Sequence, residues 1–510
     1  MKIHGKLVDI HTREITSVCM EIQEGKIAKI ERNGYRGRNF ILPGFIDAHI
    51  HIESSLLPPC EFARLAVRHG TVATVSDPQA MAHVLGIAGI DFMIENAKKV
   101  PFKFFFGAPS GSILSPDEVR QLLSRKEIKY LSEVMDVEKV IHRDPEIMEK
   151  INIAKERGKK IDGHAPGLFG EKLLQYRSAG IETDHQCSSL SEAHEKLALG
   201  MKILIREGSS AKNFNALFPL LREKPQDCML CTDAVRPDHL LLGHINLLVR
   251  RAIEKGMDLF DVLLAACKNP VEHYGLEVGL LRVGDPADFI LVEDLHSFHV
   301  IETYINGIAV FREDALFPYL KTSSISHFET LSKTPSDFAL PLQKGIPRII
   351  SAIDGSSISH LSLRVENGNY ISDVEGDILK IAIIDRFKNL SPEILFIHHF
   401  GLKKGAIATS AAQGLHLIAV GVTDEDLCQA LDAIIQEKGG MVISHTGKTD
   451  ILSFPIGGLM SNLPGDQVAV QYDNLNQAAL QLGSLFKDPF MALSQIPLFI
   501  NGIEPFLSSS

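Results

Sequence analysis

Two histidines, His49 and His51, stand two residues apart at the end of an apolar run. Residues i and i+2 of a β-strand point to the same face, so the two imidazoles can bind one metal ion together. Half-exposed strands also produce a His-x-His pair by chance, and the pair alone is therefore weak support for a metal site. Such a site requires further ligands from elsewhere in the chain.

Each later apolar run also ends in a polar or charged residue. If these runs are strands of one barrel, their carboxyl ends meet at a single mouth, where the active sites of such barrels lie. Four imidazoles and two carboxylates would then converge, which is too many ligands for one tetrahedral ion and suits two ions bridged by a carboxylate and a hydroxide. The six predicted ligands are His49, His51, Glu133, His164, His185 and Asp233; the other strand ends carry Asp77, Ser110, Arg206 and Glu207.

A pair of ions at that mouth predicts hydrolytic chemistry. Two metals about 3.5–4 Å apart lower the pKa of a shared water and polarise the atom that it attacks. Asp233 would bind one ion, take the proton from that water and pass it to the leaving group, acting first as general base and then as general acid. The chain contains no GxSxG elbow, no P-loop and no GxGxxG after a strand, so no competing catalytic motif is present.

The elements that must position these residues are eight apolar runs alternating with helical stretches. Eight βα units in about 235 residues predict a (β/α)₈ barrel. An open doubly wound sheet is the alternative, but the chain lacks the glycine-rich fingerprint that would support it. The runs are FILPGFIDAHIHIE, TVATVSDP, FKFFFGAPS, KYLSEVMD, KKIDGHAPG, IETDHQC, KILIREG and DCMLCTD. A long helical region, HLLLGHINLLVRRAIEKGMDLFDVLLAACKNP, follows the last run.

Strand-like segments flank the barrel on both sides. KLVDI, VCMEIQ and KIAKIER precede it, and GLLRVGDPADFILVEDLHSFHVIETYINGIAV follows it. We predict that residues 1–40 and 276–318 form one small β domain, that residues 41–275 form the catalytic barrel, and that residues 319–510 form a separate C-terminal α/β or α+β domain.

Composition excludes several classes of protein. The 510 residues carry 52 Lys+Arg against 63 Asp+Glu, a formal net charge of −11, which argues against nucleic acid and anionic membranes as partners. The chain has no apolar run of about 18 residues, so no membrane span is expected. The first residues lack a signal-peptide pattern. Seven scattered cysteines fit reduced thiols in a cytoplasmic protein, and Cys228-x-x-Cys231 is interpreted as buried strand cysteines. Of the 21 histidines, most are expected to be ordinary.

Several motifs of the chain resemble those of a known family. PGFIDAHIHIESS, DGHAPGL, TDHQC, IREGSSAKN and CTD, in this order, resemble the amidohydrolase superfamily and, within it, the adenine deaminases. PADFILVEDL and the C-terminal FGLKKGAIATS, VGVTDEDL and FPIGGLMS extend the resemblance over nearly the whole chain.

The resemblance implies a binuclear metallohydrolase of purine salvage that converts adenine and water to hypoxanthine and ammonia. The family's metal ligands carry over onto the six predicted above. Glu133 takes the place where many amidohydrolases have a carbamylated bridging lysine, and it is expected to act in catalysis with Asp233. Two manganese or iron ions, with zinc as the alternative, a small heterocyclic substrate and a homo-oligomeric state are also implied. Expected substrate contacts are Glu53, Ser110, Arg206, Glu207 and His416.

Several polar positions depart from the family pattern. Where the family usually has Asp-Pro-His-Glu the chain has Asp77-Pro78-Gln79-Ala80, so an accessory metal site at Asp77, Gln79 and Ala80 is expected to be degraded. Asp-His-Glu is replaced by Asp184-His185-Gln186. Thr-Asp-Asp-x-His-Pro becomes Thr232-Asp233-Ala234-Val235-Arg236-Pro237, and Ala-His-Asp-Ser-His-Asn becomes Ala412-Gln413-Gly414-Leu415-His416-Leu417.

These departures leave three hypotheses open. The first is an adenine deaminase, and a slow one is compatible with the altered residues. The second is an amidohydrolase acting on another cyclic amidine or amide, such as a modified purine or a pterin. The third is a metal-binding paralogue that has lost catalysis, which the retained Asp233 argues against.

Overall fold

The structure is a computed structural model, and it describes residues 1–412 and 416–500, with side chains up to residue 497. The chain divides into two compact units. The first, called the barrel unit below, comprises Met1–Ser55, Pro59–Ala82 and Ile90–Leu320. The second, called the C-terminal unit, comprises Leu56–Pro58, His83–Gly89 and the chain from Lys321 onward.

The N-terminal segment forms four strands. In the second of them buried and accessible residues alternate, with Val18, Met20 and Ile22 buried, as expected when one face of a sheet packs on a core. The strands are β1 (Lys2–Asp9), β2 (Glu14–Gln23), β3 (Lys26–Arg32) and β4 (Phe40–Pro43).

Eight parallel strands then form the predicted barrel. Hydrogen-bonded pairs run from β5 to β9 and from β10 to β12. The Glu182 amide joins the two sets by donating to the Ile161 carbonyl at 2.9 Å. The ring closes at Asp233, whose amide donates to the His49 carbonyl and whose carbonyl accepts from the His51 amide, both at 2.8 Å. The strands are β5 (Phe45–Ile50), β6 (Thr71–Ser76), β7 (Lys103–Ala108), β8 (Ile128–Val134), β9 (Lys160–Gly163), β10 (Thr183–Asp184), β11 (Lys202–Arg206) and β12 (Cys228–Cys231).

The segment after the barrel returns to the N-terminal strands, as the fold prediction requires. Its strands are β13 (Phe289–Val292), β14 (Val300–Ile305), β15 (Ile308–Arg312) and β16 (Ala315–Leu316). β13 pairs antiparallel with β4, so that one sheet has the order β16-β15-β14-β13-β4-β1-β2-β3. The boundaries given for the three domains stay a prediction.

Helices occupy the connections between the barrel strands. Side-chain caps begin several of them: Ser115 and Glu118 form a capping box, and the Asp144 carboxylate accepts two backbone amides of the next turn. The helices are α1 (Pro59–Ala66), α2 (Gln79–Leu85), α3 (Ile87–Ala97), α4 (Pro116–Leu123), α5 (Val137–Ile141), α6 (Pro145–Glu156), α7 (Gly170–Ser178), α8 (Leu190–Ala198), α9 (Phe214–Leu217), α10 (Leu220–Glu223), α11 (Pro237–Leu242), α12 (Ile245–Glu254), α13 (Leu259–Leu263) and α14 (Asn269–Tyr274).

Two predicted elements are divided in the structure. The long helical region after β12 is divided into three pieces, because Gly243 and residues 255–258 interrupt it. The pieces are α11, α12, and α13 with α14, which a π-helical segment, Leu264–Lys268, connects. The first apolar run is split between two sheets, since β4 belongs to the small sheet and β5 to the barrel. Gly44 joins them where a Cβ atom would lie 2.3 Å from Val72 Cγ1.

The C-terminal unit is built on a largely antiparallel seven-stranded sheet of order β18-β22-β21-β24-β23-β25-β26, with a smaller sheet of order β17-β20-β19. Leu427, Leu431 and Ile434 of α15 pack on the larger sheet. The elements are β17 (Leu340–Pro341), β18 (Ile349–Ser351), β19 (Arg364–Glu366), β20 (Asn369–Ile371), β21 (Ile378–Asp385), β22 (Glu393–His398), β23 (Ala406–Ala412), β24 (His416–Gly421), α15 (Asp424–Glu437), β25 (Gly440–His445), β26 (Lys448–Ser453), α16 (Gly465–Gln481) and α17 (Pro489–Ile500).

No helix within the described parts of either unit is both long and apolar enough to cross a bilayer.

The close approach at Gly44 gives a stability prediction. Gly44→Ala should cost about 1–3 kcal/mol, because the new methyl group overlaps the buried Val72 side chain. The midpoint of thermal unfolding should fall by several degrees. Gly34→Ala is the control, since a Cβ atom there meets nothing within 4 Å. Equal midpoints for the two variants would contradict the argument.

Candidate metal centre

The barrel brings all six predicted ligands to one end. His49 and Glu133 are the second-to-last residues of β5 and β8. His51, His164 and His185 directly follow β5, β9 and β10, and Asp233 lies two residues after the end of β12. Because every barrel strand runs in the same direction, these positions share the carboxyl-terminal mouth.

Glu133 is the centre of the cluster. Its Oε2 lies 2.8 Å from His164 Nδ1 and 3.1 Å from His185 Nε2, and its Oε1 lies 3.3 Å from His51 Nε2. The carboxylate is 3% exposed, so these imidazoles replace water as its neighbours. A carboxylate with one oxygen toward each side of the cluster is suited to bridge two cations.

Asp233 closes the other side of the cluster. Its Oδ1 lies 3.7 Å from both His49 Nε2 and His51 Nε2. Its backbone has φ of 62°, a left-handed conformation that is costly for a residue with a side chain. The two barrel-closing hydrogen bonds on either side of this residue hold that conformation and aim the carboxylate at the imidazoles.

The unpaired atoms of the cluster fit metal ions. Neither nitrogen of the buried His49 ring makes a hydrogen bond, and neither carboxylate oxygen of Asp77 does so, among the described residues. Buried polar atoms are ordinarily paired, and metal coordination satisfies such atoms. Candidate ligand atoms lie within 4.8 Å of one another in three overlapping groups: His49, Glu133 and His185; His49, His51 and Asp233; His51, Asp77 and Glu133. Imidazole and carboxylate ligands of this kind suit Mn²⁺, Fe²⁺ and Zn²⁺.

Burial and mutual charge favour the metal-binding ionisation state of Glu133, Asp233 and His49, whereas at His51 burial is outweighed by the contact with Glu133, which raises the pKa of the ring. Burial opposes the charge on Glu133, but contacts with His164, His185 and His51 outweigh it and hold the pKa of Glu133 well below its usual range. Burial likewise opposes the Asp233 charge, and Arg206 together with nearby imidazoles outweighs it and lowers the Asp233 pKa. Burial lowers the pKa of His49, which favours the neutral, metal-binding form of its ring.

Arg206, predicted to contact substrate, is engaged with site residues instead. One terminal nitrogen of its guanidinium pairs with Asp233 Oδ2, and the other donates to Gln186 Oε1 at 2.7 Å. Gln186 Nε2 in turn lies 3.2 Å from His164 Nδ1. Arg206 therefore occupies the Asp233 oxygen that faces away from His49 and His51, leaving Oδ1 toward the imidazoles.

The other predicted substrate contacts have different surroundings. The Ser110 hydroxyl donates to the Glu133 carbonyl at 2.6 Å, which holds the backbone of Glu133. Glu207 pairs with Arg251 at 2.7 Å. Glu53 Oε1 accepts from the Met81 amide at 3.0 Å, while its buried Oε2 has no hydrogen bond among the described residues. His416 begins β24 of the C-terminal unit, and Gln413 and Gly414 lie outside the described residues.

The predicted accessory position retains one acid. Burial raises the pKa of Asp77 to about 8, and its carboxylate belongs to the group with His51 and Glu133. Gln79 begins α2, and its Nε2 lies 3.4 Å from Met135 Sδ. Ala80 supplies no ligand atom. These residues leave Asp77 as the one carboxylate in the 77–80 segment.

The sequence prediction missed Asp47. Its Oδ1 accepts the amides of Thr232 at 3.0 Å and His49 at 3.3 Å, and its Oδ2 accepts the Thr232 hydroxyl at 2.5 Å. Asp47 therefore fixes the residue before Asp233 against the strand that carries His49. Its position two residues before His49, on the same strand face, is the signal that could have identified it.

Because Glu133 contacts three imidazoles of the cluster, its replacement is expected to weaken metal binding. Glu133→Gln removes the negative charge that three imidazoles share, and metal affinity should fall by at least about 100-fold. Elemental analysis after reconstitution and dialysis measures the metal content. Glu182→Gln is the matched control, because Glu182 is an ion-paired acid of the same barrel whose partner is Lys160. Wild-type metal content in both variants would show that Glu133 is not a ligand.

Comparison with known proteins agrees with this geometry. The amidohydrolase family model matches residues 40–310, and the model of the adenine deaminase C-terminal domain matches residues 357–501. The chain is 46% identical to the adenine deaminase of Salinibacter ruber, covering 98% of this chain and 94% of that protein. It is 48% identical to that of Sulfurovum sp. and 47% identical to that of Borreliella burgdorferi, with 98% of this chain and 95% of each relative covered. The chain belongs to the adenine deaminase family of amidohydrolases.

Proposed function

We propose that this protein is a metal-dependent hydrolase that converts adenine and water to hypoxanthine and ammonia. The convergence of His49, His51, Glu133, His164, His185 and Asp233 at one barrel mouth carries the proposal. Similarity to adenine deaminases over 98% of the chain supports adenine as the substrate.

The donor set divides naturally between two ions. We propose that His49, His51 and Asp233 hold one ion, that His164 and His185 hold the other, and that Glu133 is shared. Divalent ions bound there would supply the positive charge that acidifies water and polarises the purine. Manganese or iron is the expected metal, with zinc as the alternative, because the imidazole and carboxylate donors accept all three.

Asp233 is the proton carrier in this proposal. Its Oδ1 faces the ligand imidazoles, so it is placed to accept a proton from the attacking water and to deliver it to the departing amino nitrogen of adenine. Arg206 holds Oδ2, which prevents the carboxylate from rotating between these two transfers. The left-handed backbone of Asp233 adds a second restraint on its direction.

Glu53 is the predicted substrate contact with the most suitable chemistry. Burial raises the pKa of Glu53, which favours a protonated carboxyl group. Oε1 is engaged by the Met81 amide, and Oε2 has no described partner, so a protonated Oε2 can donate to a ring nitrogen of a purine. Ser110 and Arg206 support Glu133 and Asp233 and are assigned positioning roles.

A second candidate substrate class is another heterocyclic amidine or amide, such as a modified purine or a pterin. Gln79, Ala80, Gln186, Ala234 and Arg236 replace the family's usual groups around the retained ligands, and this observation favours altered recognition. A site that changes its polar contacts shifts its discrimination between related substrates by large factors. The homo-oligomeric state and the cytoplasmic location stay predictions.

One assay separates these possibilities. Ammonia release is measured for adenine and a panel of aminopurines and aminopterins, with Mn²⁺ or Fe²⁺ supplied. Adenine is expected to be the best substrate, with hypoxanthine formed in equal amount to ammonia. A better substrate within the panel would establish the second candidate instead. No turnover of any compound by metal-loaded protein would contradict both and leave a non-catalytic paralogue.

The role of Asp233 gives a sharper test. Asp233→Asn should lower kcat by about 100- to 10,000-fold, because the amide cannot carry the proton. Asp227→Asn is the control: Asp227 directly precedes β12, at the opposite end of the strand from Asp233, and it pairs with Lys202 at 2.5 Å. Comparable kcat values in the two variants would exclude Asp233 as the proton carrier.

A further inference from the structure

Three charged side chains are fully buried beside the loops that carry His164 and His185. Lys196 Nζ pairs with Asp184 Oδ2 and lies 2.7 Å from Glu192 Oε1, and all three side chains are 0% exposed. The ammonium also donates to the Ala165 carbonyl at 2.6 Å. We call Lys196, Asp184 and Glu192 the Lys196 cluster.

Stability alone does not account for the Lys196 cluster. Moving ions out of water is costly, and well-packed apolar residues often replace a buried ion pair with no loss of stability. The cluster also holds two carboxylates against one ammonium, so additional donors must compensate the second negative charge. Those donors are backbone amides of two loops.

The first loop follows β9 and carries His164. Ala165 is the next residue, and its carbonyl accepts from Lys196 Nζ. Two residues further, the Gly167 amide donates to Glu192 Oε1 at 2.8 Å. The chain that leaves His164 is therefore tied twice to the cluster.

The second loop follows β10 and carries His185. Asp184 immediately precedes His185, and Asp184 Oδ1 accepts the Gln186 amide at 2.7 Å. The Ser188 amide donates to Glu192 Oε2 at 3.0 Å. The residues on both sides of His185 are thus held by the same cluster that holds the loop of His164.

The cluster itself is not a second metal site. Asp184, Cys187 and Glu192 are close enough to share an ion, but the Lys196 ammonium already contacts both carboxylates. Burial, followed by the negative charge of Asp184, raises the pKa of the Cys187 thiol, which keeps it protonated and a poor ligand.

We propose that Lys196 is a positioning residue that sets the separation of the His164 and His185 imidazoles and thereby the affinity for the ion they hold. The two ring centroids lie 5.1 Å apart, and both rings reach the same Glu133 oxygen. Through the cluster, one lysine on α8 ties the loops of both ligands together. The inference rests on the proposed metal-dependent function and adds a residue that no ligand motif contains.

Lys150 provides a matched control. Its side chain is 1% exposed, and its Nζ lies 2.7 Å from Glu146 Oε1 on the same helix and 2.9 Å from the Gly111 carbonyl. A buried ammonium, an i, i+4 carboxylate and a backbone carbonyl acceptor are shared with Lys196, whereas Glu146 is 51% exposed and Glu192 is fully buried. The loop that Lys150 contacts follows β7 and carries none of the six predicted ligands.

The experiment compares Lys196→Met with Lys150→Met in the full chain. Each protein is stripped of metal, and Mn²⁺ binding is followed by titration against a competing chelator, with thermal unfolding of the metal-free protein measured in parallel. Both variants should unfold at lower temperature. Only Lys196→Met should bind one of its two Mn²⁺ ions about 10- to 100-fold more weakly, the usual effect of losing a residue that orients a ligand.

If Lys196→Met does not fold, Glu192→Gln and Glu146→Gln replace the pair. A glutamine at position 192 has one acceptor oxygen and cannot serve Gly167, Ser188 and Lys196 together, so Mn²⁺ binding should again weaken by about 10-fold. Glu146→Gln should bind Mn²⁺ as the wild type does.

The outcomes are distinguishable. If Lys196→Met binds two Mn²⁺ ions with wild-type affinity, the positioning role is overturned and the proposed function stays intact. The same holds for Glu192→Gln where it replaces Lys196→Met. Equal weakening in the matched pair would also overturn it, because general destabilisation would then explain the effect. A wild-type chain that binds no divalent ion would overturn the proposed function and this inference with it.

Discussion

The buried Glu133 carboxylate is the constraint on which the barrel mouth depends. An isolated charge in a site that is 3% exposed costs several kcal/mol, so it must be compensated by nearby donors or cations. His51, His164 and His185 supply that compensation within 3.3 Å. Each comes from a different strand end, so the stability of the carboxylate depends on correct assembly of the whole mouth.

The residue that closes the barrel, Asp233, is also the proposed proton carrier, so closure of the barrel and the direction of its carboxylate are linked. The same residue forms the last hydrogen bonds between β12 and β5, adopts a left-handed backbone and presents its carboxylate to His49 and His51. The closing hydrogen bonds, together with Asp47 beneath Thr232, stabilise a conformation that would otherwise be unfavourable. Any change that opens this seam therefore also displaces Asp233, so stability and activity are coupled there.

The convergence of the six predicted ligands could be predicted because it depends on local patterns. An apolar run that ends in His, Glu or Asp is visible in the sequence, and parallel strands bring such ends together. The division of the first run at Gly44 was missed although the Pro43-Gly44 dipeptide is a local break signal, and the sheet that each half joins depends on pairing with strands distant in sequence. The contacts that Arg206 makes with Asp233 and Gln186, and those within the Lys196 cluster, were not predicted, since they join loops that are distant in sequence.

The contrast between the retained ligands and the altered neighbours has a physical basis. Glu133 is compensated by the imidazoles of His51, His164 and His185, and loss of a partner from a buried charged pair costs about 3–5 kcal/mol. Gln79 and Ala80 lie in partly accessible positions, where a polar group can be replaced without leaving a buried charge behind. Gln186 is buried, but its amide satisfies Arg206 and His164 together, which a carboxylate with no N–H donor would do differently. Electrostatic interdependence therefore restricts variation around Glu133 more strongly than at Gln79 and Ala80.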